Sequence, residues 1–482
     1  MQPDYSLLIP EFVLAGWAAL VVAVELLFPR TRKDMHAYLA ALGALLAGAI
    51  SLLYIRVDKG FAPTAGVELL HVDEYTTYLR VLLCGIAAFI CLSSAQFARQ
   101  RLTNIGEYYG IILVATIGGI YMAAGTELIT TWISLELLSF CLYTLVSFAK
   151  RDLRSNEGGL KYMLLGAFST ALFLYGLSML YGATGQTTYA GIAAQLRKGT
   201  ENVEFALLAS YIFIIAGVGF KVAAAPFHMY TPDAYEGAPL PITAFLSTAS
   251  KAAAFALFFR LFSSALLPTH GDWRWMIALI AALTMSVGNL IALQQHNLKR
   301  LFAYSSIGQV GFMLIAVAAA SQASGTALLF HMAGYAVTNL AAFTIFIAVF
   351  NVTGKEEISD LAGLAERAPF LAMAMTAALF SLAGMPLFAG FFTKFILFQS
   401  GWNDGLQWLA ALAVVNSLIS LYYYLMIIRQ MYVVPPSEPG RFRFSPLLSG
   451  IVGVLVVAIF FLGIWPALLL RAADRAASFL FS

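Results

Sequence analysis

Five ionisable residues lie inside long apolar runs of the sequence: Glu136, Lys161, Lys221, Lys251 and Lys394. A charge at the centre of a bilayer costs about 2.5–3.5 kcal/mol on the insertion scale, so such residues are expected to face the interior of a helix bundle, paired or hydrated. A structural ion pair would explain any one of them, but one carboxylate cannot neutralise four ammonium groups. The set therefore favours a proton relay, because a buried lysine changes its protonation state readily.

Glycine and proline lie beside two of these lysines. One stretch runs from Gly217 to His228 around Lys221, and the other runs from Ala383 to Lys394. Proline removes a helical hydrogen bond and glycine weakens a helix, and in a membrane the freed backbone groups are tolerated only beside protein or water. Interrupted spans in corresponding positions are typical of inverted-repeat transporters, so we predict two broken helices, with ordinary proline kinks as the alternative.

Residues suited to redox chemistry or to metal binding are scarce. Of six His, only His228 and His331 are expected near the interior, and a haem needs facing axial ligands. Three Cys are too few for a ferredoxin-type cluster, and the chain has no GxxxxGK[ST] phosphate loop. We therefore expect no cofactor and no metal on this chain.

Composition places the chain in a membrane. The 482 residues are 61% hydrophobic and only 11% charged, with a mean hydropathy of +0.82. Soluble domains carry about 25% charged residues, so a soluble enzyme is excluded. A net charge of +3 gives no reason to expect nucleic-acid binding. The protein is expected to contact the lipid bilayer along most of its length.

Apolar runs of spanning length recur along the whole sequence, which predicts an all-α polytopic membrane protein of about 14 helices. We expect a single membrane domain over residues 1–482, with three helices in 1–105, a five-helix repeat in 106–262, an inverted second repeat in 274–431 and a last helix in 444–482. The predicted spans are Leu7–Phe28, His36–Ile55, Tyr75–Gln96, Tyr108–Ala124, Glu127–Phe148, Gly158–Gly182, Glu204–Ala225, Pro239–Phe262, Trp275–Gln294, Leu301–Ala320, Ala323–Phe350, Phe370–Phe398, Leu406–Met431 and Ser445–Leu470.

Basic residues in the loops predict the orientation. Odd-numbered loops hold 15 of the 28 Lys and Arg, even-numbered loops and the termini hold 7, and the remaining 6 lie in predicted spans. Because cytoplasmic loops are enriched in Lys and Arg, both termini are expected on the non-cytoplasmic side. Arg80 and Arg260 lie nearer helix ends and are expected to extend toward the interface. The longest polar stretches are expected to be loops, with one short surface helix at Glu356–Arg367.

The stretch from Phe220 to Pro239 resembles the signature of the antiporter-like subunits of respiratory complex I. Its ending, Tyr235 to Pro239, is more similar to the N type than to the L and M types. Asn297–Gly308 and Ala383–Pro386 add to the resemblance, which covers nearly all predicted spans. Tyr230 stands where the family more often has Trp.

The resemblance implies roles for the matching residues. Glu136 and Lys221 resemble the pair of the family's fifth and seventh helices, and Lys161 resembles the sixth-helix modulator. Lys251 resembles the central connecting lysine and Lys394 the exit lysine of the twelfth helix. His228 and Tyr304 match further polar positions of the family's hydrated axis, and His331 matches more weakly.

The same resemblance implies a proton-translocating subunit of an NADH:quinone oxidoreductase in the inner membrane of a bacterium. NADH, flavin, iron-sulfur clusters and quinone would then belong to other subunits, and the neighbours would be K-type and M-type membrane subunits. Two other functions remain open from the sequence: a free-standing cation/proton antiporter, and a membrane anchor with inert buried ion pairs.

Overall fold

The computed structural model describes residues 4–28, 33–63, 67–199, 203–436, 440–442 and 444–481. Parts of the predicted loops Arg56–Glu74, Thr184–Val203 and Val434–Arg443 therefore lie outside the described residues. The first half contains the helices α1 Ile9–Leu27, α2 Lys33–Ser51, α3 Glu74–Arg101, α4 Ile105–Ala124, α5 Leu128–Val146, α6 Leu153–Thr184, α7 Tyr189–Leu196, α8 Glu204–Val222, α9 Tyr230–Gly237, α10 Leu240–Phe245 and α11 Lys251–Arg260.

The second half continues the helical pattern. It contains α12 His270–Ala292, α13 Leu298–Ala319, α14 Gln322–Thr353, α15 Leu364–Arg367, α16 Pro369–Ala383, α17 Ala389–Asn403, α18 Gln407–Tyr432, α19 Pro446–Ile464 and α20 Ala467–Ser478. Short 3₁₀ turns lie at Tyr5–Leu8, Leu52–Tyr54, Phe227–Met229, Leu267–Thr269 and Ile358–Leu361.

Within the described residues, 13 helical segments are long and apolar enough to cross a membrane. The predicted twelfth span is the one without a long continuous helix, because it is divided into α16 and α17. The prediction of an all-helical membrane protein with many spans is confirmed. The broken twelfth span explains why 13 continuous spans are found where about 14 are predicted.

Both expected helix breaks are present. Helix α8 ends at Val222, and the chain then passes through Ala223, whose φ is 68°, before α9 begins at Tyr230. Helix α16 ends at Ala383, and Gly384 follows with a φ of 89°. A helix end leaves carbonyl groups without helical partners, and the left-handed residue that follows allows the chain to bond to only some of them. Each break therefore offers free carbonyl oxygens inside the bundle.

The predicted eighth span is enclosed on all sides by other helices. It consists of α10, a π-helical turn at Leu246–Ser250, α11 and a second π-helical turn at Leu261–Ala265. Its residues pack against α3, α4, α8 and α14. π-helical turns are frequent at functional sites, and Lys251 directly follows the first of them.

Several elements differ from the sequence expectations. The predicted loop Arg56–Glu74 contains an antiparallel hairpin of β1 Lys59–Phe61 and β2 Leu70–Val72, and the loop Thr184–Val203 contains α7. The predicted surface helix Glu356–Arg367 is instead a 3₁₀ turn followed by the four residues of α15.

The predicted last span also ends earlier than expected. Helix α19 ends at Ile464, and α20 follows Pro466 as a separate helix. Proline interrupts helical hydrogen bonding, which divides the predicted span Ser445–Leu470. Helix α20 packs against α3 and α14 through small buried residues such as Ala473.

The expectation that Arg80 and Arg260 extend toward the interface is wrong. Arg80 is fully buried, and its Nε donates to Glu11 Oε1 over 2.7 Å. Arg260 is buried as well, and its Nη2 lies 2.6 Å from Asp73 Oδ2. A buried ion needs a partner of opposite charge rather than water. Each arginine joins helices far apart in sequence: α1 to α3, and the start of α3 to α11.

Candidate proton-transfer site

Lys221 lies in the last turn of α8, directly before the first break, and is buried. Its Nζ donates a hydrogen bond to Ser139 Oγ on α5 over 2.8 Å. A hydroxyl oxygen satisfies one ammonium proton without supplying a counter-charge. Lys221 is therefore held in place by a group that leaves its charge uncompensated.

Glu136 lies on α5, almost one turn before Ser139, and is half-buried. In the described part of the chain its carboxylate makes no ion pair and no hydrogen bond, although its charge acts on Lys221 through space. The structure therefore brings the predicted pair close together without direct contact.

Lys251 occupies the first position of α11 and is buried. Its Nζ donates to the carbonyl oxygen of Val222 over 3.2 Å. Val222 is the last residue of α8, so this carbonyl belongs to the negative end of a helix dipole. The break after α8 thus brings Lys251 beside the residue that follows Lys221.

Lys394 lies on α17 and is held in the same way at the second break. Its Nζ donates to the carbonyl oxygens of Leu382 at 2.7 Å and Ala383 at 3.3 Å, and to Ser417 Oγ at 3.1 Å. Leu382 and Ala383 form the end of α16, where carbonyl groups have no helical partners. The Phe312 ring faces the ammonium group, with its centroid 5.1 Å away.

His331 connects α14 to the helix that carries Lys394. Its Nδ1 lies 3.1 Å from Thr393 Oγ1, and Thr393 directly precedes Lys394. The other ring nitrogen, Nε2, is buried and has no hydrogen-bond partner among the described residues. The ring also stacks on Tyr335, whose hydroxyl lies 2.8 Å from Ser306 Oγ. His331 is therefore part of a polar chain that leads toward α13.

The two remaining predicted residues, His228 and Tyr304, make fewer polar contacts. His228 lies in the 3₁₀ turn between α8 and α9, and its buried Nδ1 has no partner in the part of the chain that the structure describes. Tyr304 is half-buried on α13 and packs against the apolar core. Its neighbours carry the polar contacts instead: Ser305 Oγ lies 2.5 Å from the Tyr424 hydroxyl, and Ser306 bonds to Tyr335.

Lys161 does not face the bundle interior, contrary to the prediction. Its side chain is 46% exposed, and its Nζ lies 2.8 Å from Glu157 Oε1 and 2.9 Å from Asp233 Oδ2. Helix α6 begins at Leu153 rather than at Gly158, and the face that it buries includes Gly158, Gly159 and Tyr162, which leaves Lys161 on the exposed face. Asp233 also pairs with Arg300 at 3.0 Å, which links α6, α9 and α13.

Three hydroxyl side chains belong to the site although the sequence gives no signal for them: Ser139, Thr393 and Ser417. Ser139 and Ser417 each accept a hydrogen bond from a buried lysine, and Thr393, which directly precedes Lys394, contacts His331. Each lies in an apolar helix, where a hydroxyl more often bonds to the backbone of its own helix. No group of three or more His, Cys, Asp or Glu is placed to bind a metal within the described ranges.

Taken together, the hydrogen bonds of Lys221, Lys251 and Lys394 go to neutral oxygens only. Burial without a carboxylate partner makes a charged ammonium costly, and lysine can relieve that cost by releasing its proton. Hydroxyl and carbonyl oxygens accept a hydrogen bond from the charged form, so each site can still hold the proton for a time. This arrangement suits reversible proton binding better than a permanent ion pair.

Comparisons with known proteins identify the family of the chain. Residues 125–420 match the family described as NADH:quinone oxidoreductase/Mrp antiporter, TM. The chain is 39% identical over 477 residues to the NADH-quinone oxidoreductase subunit N of Moorella thermoacetica, covering 98% of both chains. It is 40% identical over 438 residues to the NAD(P)H-quinone oxidoreductase subunit 2 of Nostoc punctiforme, covering 91% of this chain and 82% of that one.

Solved structures show the same fold. A chain of respiratory complex I from Thermus thermophilus with bound aureothin superposes with a TM-score of 0.81 at 30% identity, covering 97% of this chain and all of that one. A chain of the Mrp complex from Dietzia superposes with a TM-score of 0.84 at 20% identity, covering 98% of each chain, and this likeness concerns the fold alone. The chain therefore belongs to the NADH:quinone oxidoreductase/Mrp antiporter family of membrane subunits, and its similarity to subunit N extends over almost its whole length.

Proposed function

We propose that this chain is the proton-translocating membrane subunit of an NADH:quinone oxidoreductase, and that Lys221, Lys251 and Lys394 carry the proton. One observation carries the proposal: all three lysines are buried at or beside interruptions of regular α-helix and are bonded only to hydroxyl or carbonyl oxygens. The relatives that are subunits of such oxidoreductases favour this function over a free-standing antiporter.

Glu136 would act as the switch for Lys221. When the carboxylate approaches Lys221, attraction between opposite charges favours the protonated lysine. When the carboxylate moves away, Ser139 is left as the contact, and Lys221 releases its proton toward Lys251. The Val222 carbonyl then accepts a hydrogen bond from the newly charged Lys251.

Lys394 would be the last carrier on this chain. The charged form is stabilised by the carbonyl oxygens of Leu382 and Ala383, and Thr393 and His331 provide polar neighbours. Lys161 would tune the relay from the surface through its pairs with Glu157 and Asp233, and His228 and Tyr304 would border it. The two halves, 106–262 and 274–431, would act as two inverted repeats, each with one break.

The rest of the complex follows from the same proposal. Neighbouring K-type and M-type membrane subunits would flank this chain, and NADH, flavin, iron-sulfur clusters and quinone would be bound by other subunits. The complex would lie in the inner membrane of a bacterium, with both termini of this chain on the non-cytoplasmic side. The loop enrichment in Lys and Arg supports that orientation.

The decisive test compares Lys221→Ala and Glu136→Gln with the wild type in membranes of matched complex abundance. We expect both variants to lower proton pumping and coupled quinone reduction, because one removes the carrier and the other its switch. Oxidation of NADH by an artificial acceptor should stay near the wild-type rate, because electron entry lies elsewhere. Glu136→Asp keeps the charge and should retain more pumping than Glu136→Gln.

Lys198→Ala is the control, because it removes an exposed lysine from a loop. Wild-type pumping by Lys221→Ala at equal abundance would contradict the proposal. It would leave Lys221 as a structural residue only.

A further inference from the structure

A cavity of about 810 Å³ lies at the end of the molecule where α3, α5 and α14 end and α6 and α13 begin. It is separate from the buried lysines of the relay. Five basic side chains line it together with two acidic ones: Arg101, Lys150, Arg151, Arg154, Lys299, Asp152 and Glu356. With five positive and two negative side chains, the cavity lining has a formal charge of +3.

The two carboxylates are already engaged. Glu356 Oε1 lies 2.7 Å from Lys299 Nζ, so these two charges compensate each other. Asp152 accepts a hydrogen bond from the backbone N–H of Arg154 over 3.0 Å and caps the start of α6. The four remaining cations form no ion pair with any residue that the structure describes. Their mutual repulsion in one concave site is unfavourable unless an anion is bound.

Arg101 is exposed, but its guanidinium contacts an aromatic ring. Its guanidinium lies over the Phe350 ring, 4.4 Å from the centroid, and Phe350 packs against Phe97. A guanidinium stacked on a ring keeps its N–H donors free at the edge. Arg101 thus presents its donors from a fixed position on the cavity wall.

The loop between α5 and α6 is ordered as well. The Lys150 N–H donates to the Phe148 carbonyl over 2.9 Å, and the Asp152 N–H donates to the Ala149 carbonyl over 2.8 Å. Ser155 Oγ donates to the Val146 carbonyl over 2.7 Å and closes the loop. The cations of this loop therefore start from a fixed backbone, which lowers the entropy cost of binding.

From this juxtaposition we propose that the cavity binds a phosphate group. Several arginine forks around one concave site match the oxygens of a tetrahedral anion, to which guanidinium groups bind with paired hydrogen bonds. A phosphate monoester or diester also balances the excess positive charge. Lys and Arg in short loops can be explained by membrane topology alone, because they hold a loop on the cytoplasmic side. Topology gives no reason for four unpaired cations to share one cavity with an arginine stacked on an aromatic ring.

Phosphate could come from a free anion or from a lipid headgroup, and one experiment separates these sources. The membrane complex containing this subunit is purified in phosphate-free buffer. One arm measures saturable binding of inorganic phosphate to lipid-stripped complex. The other uses native mass spectrometry to measure retained phosphatidylglycerol after incubation with phosphatidylglycerol vesicles. Binding in either arm supports the proposal and assigns the source.

The test variant replaces Arg151→Gln and Arg154→Gln together. Loss of two charge-assisted contacts should weaken binding about tenfold or more. Arg151→Lys with Arg154→Lys keeps the charge count for topology and should weaken binding less. The pair Arg197→Gln and Lys198→Gln, two exposed residues directly after α7, is the matched control and should bind as the wild type does.

Three binding results would overturn the proposal. They are no binding in either arm, equal binding by the Arg151→Gln, Arg154→Gln variant, and an equal loss in the matched control. Cross-linking of Lys150 to an acidic segment of another subunit, in place of phosphate, would overturn it as well. The proposal does not rest on proton transfer, so pumping measurements leave it untouched.

Discussion

At the scale of the residue, two kinds of charged side chain coexist inside the bundle. Arg80 and Arg260 each contact a carboxylate directly, whereas Lys251 and Lys394 contact neutral oxygens. Arginine keeps its charge under all ordinary conditions, so it needs a permanent partner. Lysine can lose its charge, so a neutral partner is sufficient. In the proposed relay, Arg80 and Arg260 would therefore hold structural charges, and Lys251 and Lys394 would hold mobile ones.

Ser417→Ala tests the neutral contacts of Lys394. The change removes one of the three hydrogen bonds that Nζ donates and leaves the two carbonyl acceptors in place. Because a hydrogen bond to a charged group is worth about 1.5–3 kcal/mol and the remaining contacts can compensate in part, we expect pumping to fall about two- to fivefold. The measurement is proton uptake per quinone reduced. Ser449→Ala in the first turn of α19 is the control, and an equal effect there would contradict the prediction.

His71 predicts a pH dependence outside the membrane-spanning helices. Burial lowers its pKa, but hydrogen bonds from its two ring nitrogens to Glu68 and Asp58, both 2.6 Å long, outweigh burial and raise the pKa to about 9. The charged histidine stabilises the β1–β2 hairpin through its contacts with Glu68 and Asp58. Its contribution to stability is complete below the ordinary value of about 6.5 and is lost as pH rises through about 9.

Hydrogen exchange measures this effect. Exchange in the peptide containing His71, corrected for the intrinsic pH dependence, should increase above pH of about 9 in the wild type. His71→Gln should exchange faster already at neutral pH and show no such step. A step of the same size in both proteins would contradict the role of His71.

At the scale of the element, the sequence predicts the two helix breaks but not the contacts that form at them. Glycine and proline beside Lys221 and Lys394 predict the interruptions, because these residues weaken helices wherever they occur. The hydrogen bond from Lys251 to the Val222 carbonyl cannot be predicted from the sequence, because it depends on how α8 packs against α11. The same holds for Arg80 and Glu11, which are 69 residues apart.

Gly384→Ala tests the second break. Gly384 has a φ of 89°, and a Cβ there would lie 3.2 Å from Lys394 Cδ. A left-handed conformation costs an ordinary residue about 1–2 kcal/mol. We therefore expect a lower thermal stability of the subunit and weaker pumping. Gly450→Ala in α19, where an added Cβ meets nothing within 4 Å, is the control and should leave both unchanged.

At the scale of the whole molecule, the orientation can be measured. The loop Ala149–Asp152 and the turn Gly185–Thr188 lie at opposite ends of α6. The loop bias in Lys and Arg predicts that the first faces the cytoplasm. Asp152→Cys should therefore react with an impermeant thiol reagent only from inside, and Thr187→Cys only from outside. Labelling of both positions from one side would refute the orientation.

The enclosed eighth span has a consequence for the synthesis of the chain. It carries Lys251 and Arg260, and it leaves the ribosome before α13, α14 and α20, which later pack in or around the central bundle. Until those helices are made, the charges of the eighth span can pair only with helices synthesised earlier. Asp73, at the start of α3, is already present as the partner of Arg260. A chain truncated before α14 should thus expose an unfinished, charged surface to the insertion machinery and be degraded by membrane proteases. The ion pair between Arg260 and Asp73 would hold the eighth span in place until the later helices pack around it.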